Sequence, residues 1–375
     1  MIRIDQVDTN NKKDVERFIK IPFDLYHNHP QWVPPLFSDL RLYLNREKHP
    51  FFEHSTADFF IASLDGKDVG RIAVLENKRF NAYHDKKDCQ FYFYDTIEDE
   101  EVTQTLFNRA FEWAHQHHLN RMIGPKGMGP LDGYGLLVEG FEHRQMMTMM
   151  NYNYPYYPRL VESLGFVKEV DFVSCYLSAD SFRMPERIHS IAQRVLDRGT
   201  LNVIRFENRS QLRQWAKKIG KAYNNAFVNN WEYYPLTESE IQFVLDSFIP
   251  YADPKLIKII THGDDAVGFL FGFPDISAAL QRAQGKLNPW TILDLMREMK
   301  RTDWIALNGA GILPEFHGRG GNALLYSEME NTVRNYRFRH ADLTQVAETA
   351  VQMRRDLENV GGKAYKNHRV YVKTI

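Results

Sequence analysis

The chain has 375 residues, enough for two compact domains that each bury a core. Hydrophobic residues make up 43% and charged residues 25%, an ordinary globular balance that excludes collagen-like, disordered and disulfide-framework classes. With a formal net charge of -1 there is no global attraction to nucleic acid or to an anionic membrane, so a charged partner must meet a local patch. Only Cys89 and Cys175 occur, without zinc-ligand spacing, and no metal is expected. The first residues lack an apolar signal region and no later run reaches the roughly 20 apolar residues that span a bilayer. These features lead to the expectation of a cytoplasmic protein with no membrane and no nucleic-acid partner.

In chain order, a Pro/aromatic-rich entry, HNHPQWVPPLF, precedes ASLDGKDVGRIAV from Ala62, which reads as strand, Asp65-Gly66 turn, strand. The strand QFYFYD then leads into DTIEDEEVTQTLFNRAFEWA, a helix entered through Asp95, Glu98, Asp99, Glu100 and Glu101, residues suited to capping an N-terminus. A glycine- and proline-rich stretch from Gly124 to Phe141 is expected to be a long ordered loop, followed by the aromatic run NYNYPYYP. LVESLGFVKEVDFVSCYL reads as helix, glycine stop, strand.

The same signals return about 200 residues later. LIKIITHGDDAVGFLFGF from Leu256 is again a hairpin whose second strand opens Val-Gly, and LENVGGKAYKNHRVYVK again runs helix, glycine, strand. Val69 and Val267, like Gly165 and Gly361, stand nearly one period apart, which a duplication explains. The division is 1–178, a helix-bearing connector 179–200, and 201–375.

The sharpest local feature is PEFHGRGGNALLYSEMENTVRNY, from Pro314 to Tyr336. It follows an apolar strand and leads into a helix whose Leu325, Met329, Val333 and Tyr336 recur at helical spacing. Gly318, Gly320 and Gly321 permit a sharp turn and close approach of backbone to ligand, and the free N–H groups of a helix start attract phosphate oxygens. Arg319 adds a charge-assisted donor. A tight connection with a solvated Arg319 accounts for the same residues equally well when they are taken alone.

PEFHGRGGNALL resembles motif A of the GNAT acetyltransferase superfamily, with His317 at the usual Arg/Gln position, Gly320 at the first glycine and Asn322 at the second small residue. The order of hairpin, motif, strand, helix and final strands follows the family to residue 375, and the N-terminal half resembles the same fold. Together they are similar to an uncharacterised bacterial group of tandem GNAT-like proteins. The resemblance implies a mixed α/β (α+β) fold of two tandem GNAT-like domains, each a twisted mixed sheet flanked by helices. It implies an acetyl-coenzyme A-dependent N-acyltransferase acting on a small-molecule or peptide-like amine, with the donor held by Ile312, Leu313, His317, Gly318, Arg319, Gly320, Gly321 and Asn322. Ile312 and Leu313 match the strand end whose N–H meets the thioester carbonyl. Glu348, at the end of QVAETA, is the candidate base, against a solvated surface carboxylate. The family's acid Tyr is replaced by Leu357, and Tyr365 is the nearby candidate. Trp231 and Tyr234 are acceptor candidates in the second copy, as are Tyr152 and Tyr156 in the first, against packing roles for all four. The first copy has acidic residues where a pyrophosphate would sit and is expected not to bind coenzyme A. Alternatives are a catalytically silent ligand-binding module and a Fem-like aminoacyltransferase.

Overall fold

The computed structural model describes residues 1–129, 132–147 and 150–375. The residues up to Val173 supply β1 (Ile2–Gln6), α1 (Lys12–Leu25), α2 (Phe37–Tyr43), β2 (Thr56–Leu64), β3 (Lys67–Glu76), α3 (Lys78–His84), β4 (Asp88–Thr96), α4 (Glu100–Gln116), β5 (Arg121–Gly124), β6 (Leu136–Glu139), α5 (Tyr156–Ser163) and the start of β7 (Val167–Ser178). Next come α6 (Glu186–Asp197), β8 (Asn202–Ile204), α7 (Arg209–Gln214), α8 (Ala216–Ala226), α9 (Glu238–Phe248), β9 (Ile257–His262), β10 (Asp265–Pro274), α10 (Ser277–Ala283) and α11 (Pro289–Arg301). The chain closes with β11 (Trp304–Ile312), α12 (Gly321–Val333), β12 (His340–Ala347), α13 (Val351–Asn359) and β13 (Lys363–Thr374).

Two compact units divide these elements. The first unit holds Met1–Val173 together with Ser277–Leu295 and Tyr365–Ile375; the second holds Ser174–Ile276 and Met296–Ala364. In the first unit, β1, β2, β3, β4, β5 and β13 lie side by side in that order, and β6 also pairs with β13. Successive side chains of a strand point to opposite faces and both faces are covered here, so the middles of β2 (Phe59–Ala62) and β3 (Ile72–Leu75) are apolar without a break. Phe60, Ala62, Ile72 and Val74 enter one core with Val102, Leu106, Phe107, Ala110 and Trp113 of α4. Phe59, Ile61, Ala73 and Leu75 enter the other with Val15, Phe18 and Ile19 of α1. Each fully buried side chain of this size contributes about 1.5–3 kcal/mol.

The edge of β5 is completed by the chain's last residues, with Tyr371 opposite Gly124 and Thr374 opposite Arg121 in antiparallel register. Side chains fasten this strand: Asp171 accepts two bonds from Arg369, at 2.8 and 3.1 Å, and Tyr371 donates to Glu162 at 2.8 Å. His368 is fully buried, with Nε2 2.9 Å from the Asn151 carbonyl. Burial pushes its imidazole down to about 4, helped by the charge of Lys366 and opposed by the bond to Asn151. An unfolded imidazole titrates at about 6.5, so between those values the unfolded chain binds more protons. The stability from the neutral ring is therefore complete above that range and lost as pH falls toward 4. Urea midpoints of the wild type should drop across this window, and His368→Gln should remove roughly 1–3 kcal/mol of the drop.

In the second unit the order is β12, β11, β10, β9, β8, with β7 beside β12. β9 and β10 form the second hairpin, and β10 is antiparallel to β11 while β11 and β12 are parallel. The two helix–glycine–strand signals are realised alike: Gly165 after α5 has φ 84° and Gly361 after α13 has φ 93°, the left-handed turn that glycine adopts without strain. The chain thus has a mixed α/β fold, its strands in a large mixed sheet flanked by helices.

Candidate functional site

The equivalence of the two copies is closest where each central strand bends. β11 carries one extra residue relative to β10: Leu270 faces Ala310 but Gly272 faces Leu307, leaving a bulge at Asn308 and Gly309, with Gly309 at φ 88°. β4 has the same bulge against β3, where Arg71 faces Asp95 but Ala73 faces Tyr92, and Phe93 takes φ 47°. Beyond each bulge the bond from Leu313 N–H to the Val267 carbonyl (2.9 Å) is matched by Ile97 N–H to the Val69 carbonyl (3.0 Å). Counted from this frame, Ile312 and Thr96 occupy the same place, and Val69 and Val267 are the pair whose spacing the sequence displays.

A bulge increases local twist and turns a strand away from its neighbour. The parallel ladder of β11 and β12 ends at Leu307 opposite Leu343, while β11 runs on to Ile312 and β12 to Ala347, so the two strands part. Because Leu313 N–H points to β10, the alternation of backbone groups turns the N–H of Ile312, and of Ala310 before it, toward the gap. This corrects the expectation for Leu313, whose N–H is used by Val267. It also adds Ala310, which sequence reasoning missed; the signal was the Asn308-Gly309 bulge in LNGAGI.

Beyond the strand, residues Pro314–Phe316 make a single tight turn, and the His317 ring closes it, with Nε2 2.8 Å from the Ile312 carbonyl. Gly318 has φ 73° with open space around it, and Gly320 has φ 85°. α12 starts at Gly321 with no side chain capping it. The N–H groups of Gly318, Gly320, Gly321, Asn322 and Ala323 make no hydrogen bond among the described residues, whereas Leu324 N–H returns to the Gly320 carbonyl. Gly318, Arg319 and Asn322 are exposed. The result is a set of free donors at the positive end of a helix, with the Arg319 guanidinium 5.0 Å above the Phe316 ring. Glycine is required twice over. A Cβ on Gly321 would lie 2.8 Å from Ile312 and 2.9 Å from Ile260, and one on Gly320 would lie 2.7 Å from Val195 and 2.9 Å from Ile191 of α6. The connector helix therefore packs on the turn, and His189 extends the contact, its Nδ1 3.0 Å from the Ser327 hydroxyl and its Nε2 3.0 Å from the Glu330 carboxylate of α12.

The first unit closes the same positions. Thr96 donates its N–H to the Tyr157 hydroxyl at 2.9 Å, and its carbonyl accepts from the Tyr156 hydroxyl at 2.7 Å. Asp99 caps α4 by accepting from Val102 N–H at 3.0 Å, and Glu98 and Glu100 are held by Arg159. Asp95, expected from the sequence beside the helix start, instead lies buried in β4, 2.7 Å from Arg71. That expectation failed because a carboxylate near a helix looks like a cap unless the strand register is known.

The remaining candidates separate by unit. Glu348 stands one residue past β12, in the turn before α13 and on the parted side of the strand pair, in the same unit as the glycine turn. Trp231 and the buried Tyr234 lie in that unit too, in a segment bracketed by Asn224, which bonds both N–H and carbonyl of Leu236. Leu357 is buried on α13. Tyr365 belongs to the first unit, with its ring 4.9 Å from His143, so the structure does not group it with Glu348. Tyr152 and Tyr156 are also in the first unit and their hydroxyls are engaged, Tyr152 with His29 at 3.3 Å and Tyr156 with Thr96. Both belong to a run of contacting rings: Tyr26, Tyr154, Tyr156 and Tyr157 stack in succession, and Tyr152 meets Tyr26 edge-on. In the Gly124–Phe141 loop, Pro130 and Leu131 lie outside the described residues. Among the described residues no group of three His, Cys, Asp or Glu is placed to hold a metal ion, and no helix is long and apolar enough to cross a membrane.

No family model matches the sequence. The chain is similar to Protein YghO of Escherichia coli (strain K12), 27% identical over 372 residues that cover 97% of this chain and 94% of that one. It is also similar to Bacterial ceramide synthase of Caulobacter vibrioides (strain NA1000 / CB15N), 28% identical over 371 residues, 96% and 95% of the two chains. Among solved structures it resembles a tandem GNAT protein from the clavulanic acid biosynthesis pathway, with a TM-score of 0.57 at 11% identity, covering 100% of this chain and 98% of that one. A GCN5-related glucosamine N-acetyltransferase region within a fungal multi-domain GH3 beta-N-acetylglucosaminidase gives the same TM-score of 0.57 at 12% identity, this chain spanning 38% of that longer one. The chain has the fold of the GNAT acetyltransferases in tandem.

Proposed function

We propose that this tandem GNAT-fold chain is an acyl-coenzyme A-dependent N-acyltransferase with one donor site, in its second unit, and that its acceptor is the amine of a long-chain amino alcohol. The observation that carries the donor assignment is the set of unpaired N–H groups at Gly318 and Gly320–Ala323, set after a strand that parts from its neighbour. In the first unit the Thr96 N–H, the counterpart of Ile312, goes to the Tyr157 hydroxyl, and the Val102 N–H at the start of α4 goes to Asp99. The acceptor rests on the similarity to a ceramide synthase, since a ceramide is a fatty acyl amide of a long-chain amine.

The residues fit the donor's chemistry. The helix-start N–H groups and Arg319 would hold the pyrophosphate. Ile312 and Ala310 would present N–H groups to the thioester oxygen as negative charge develops there, the arrangement that most lowers an acyl-transfer barrier. Glu348 would take the proton released as the amine nitrogen bonds to the acyl carbon and the carbon–sulfur bond breaks. The coenzyme A thiolate leaves toward solvent and is protonated there, so no role is given to Leu357 or Tyr365.

Calorimetry with palmitoyl- and acetyl-coenzyme A tests the donor, and mass spectrometry of amide products from long-chain amino alcohols, short amines and peptides tests the acceptor. Amide from a long-chain amine with the palmitoyl donor is expected. Donor binding without turnover of any amine would leave a silent binding module. Absence of donor binding at millimolar ligand would overturn the assignment. Glu348→Gln should cut the turnover rate by about 100-fold with donor affinity unchanged; an unchanged rate would return Glu348 to the surface.

A further inference from the structure

Helix α11 exposes an apolar face that no described residue covers. Thr291 and Leu295 are its buried side. On the other side Trp290 is 79% exposed, Met296 55%, Ile292 47% and Leu293 37%, and Leu287, just before the helix, is 49%. Residues 290, 293 and 296, and 292 and 296, are three or four apart, so these side chains form one continuous surface. Trp290 makes no ring contact among the described residues, although most large aromatic side chains in this protein do.

The charges around this face are mostly of one sign. Lys286, Arg297, Lys300 and Arg301 are exposed beside it, Lys300 and Arg301 in the last helical turn. The segment's carboxylates are Asp294, bonded by Arg282 at 2.8 and 3.1 Å, and Glu298. The chain as a whole is almost neutral, so this is a local cationic patch. An apolar face with an exposed Trp and a lysine/arginine rim is the composition of helices that lie in the headgroup region of a bilayer, where the apolar side chains enter the acyl boundary and the cations meet anionic lipid. A second copy of the chain fits less well, because a two-fold contact would set the basic residues against each other.

We propose that α11 seats the protein on an anionic membrane surface as an interfacial, non-spanning helix. This departs from the expectation of no membrane partner, which rested on whole-chain charge and on the absence of a spanning segment. Neither quantity detects a one-helix patch. The role of α11 stands whatever amine the second unit accepts.

Flotation of the full-length protein with vesicles tests this. The wild type should float with vesicles of phosphatidylcholine mixed with phosphatidylglycerol, bind pure phosphatidylcholine more weakly, and be released by salt. The variant Trp290→Ser/Leu293→Ser/Met296→Ser and the charge variant Lys300→Glu/Arg301→Glu should each lower the bound fraction by about tenfold, with unchanged circular dichroism because the replaced side chains are exposed. No flotation of the wild type, equal binding to neutral and anionic vesicles, or wild-type binding by the triple variant would overturn it. So would a concentration-dependent dimer in equilibrium sedimentation that the triple variant abolishes, with no vesicle binding.

Discussion

Gly320→Val is expected to abolish measurable donor binding. At φ 85° a β-branched residue is a steric outlier, and the left-handed conformation alone costs about 1–2 kcal/mol. The added side chain would also meet Val195 and Ile191 at 2.7 and 2.9 Å, both β-branched and held on α6, an overpacking worth roughly 1–3 kcal/mol. The cheapest relief moves the turn away from α6 and breaks the alignment of the Gly320 and Gly321 N–H groups. A displacement of about 1 Å in a positioned site costs on the order of 100-fold. Calorimetry with an acyl-coenzyme A should therefore show affinity weakened by at least about 100-fold, together with a lower Tm. Gly318→Ala is the control: its Cβ meets nothing within 4 Å, so only the conformational cost applies and binding should fall less. Equal affinity in Gly320→Val and wild type would remove the donor from this turn.

The largest stability effect is expected from the buried pair Arg71–Asp95 in the first unit. Arg71 is 4% exposed. Its guanidinium lies 2.7 Å from Asp95, donates to the Phe18 carbonyl at 3.1 Å and sits over the rings of Phe18 and Phe93. Asp95 also accepts from the Tyr26 hydroxyl at 3.2 Å. Removing one partner strands a charge in the core. Asp95→Leu or Arg71→Leu should each cost about 3–5 kcal/mol in urea unfolding. The double variant should recover most of that loss, because two apolar side chains need no partner. Donor binding, read below the unfolding transition, should not change in either case, since the glycine turn lies in the other unit. A simple sum of the two single losses in the double variant would show that the pair is not coupled.

The contrast between Asp95 and Gly320 also marks how far the sequence could be read. The hairpins, the helix–glycine–strand endings and the glycine turn were legible because each depends on local signals: apolar alternation, an Asp-Gly or Gly-Asp turn, and glycines where φ is positive. The Val69–Val267 spacing was legible too, since a duplicated fold keeps its period. Asp95 was misread because neighbouring residues cannot tell a cap from a strand residue whose partner is 24 positions away. Leu313 was misread for the same reason, its N–H being claimed by a strand 46 residues earlier.

By itself, then, the sequence determined the repeated fold, the single glycine turn and the acidic replacement in the first copy, all of which are written in contiguous residues. Only the tertiary structure decided which N–H groups remain unpaired. Strand register sets that, and register follows from bulges at Phe93 and Gly309 whose effect appears only once a neighbouring strand is in place. Tertiary structure also decided that Tyr156 and Tyr157 close the end of β4, that Tyr365–Ile375 complete the first unit, and that α11 leaves Trp290 uncovered. Burial and pairing between residues more than 50 apart depend on the packed chain, and a linear pattern carries no record of them.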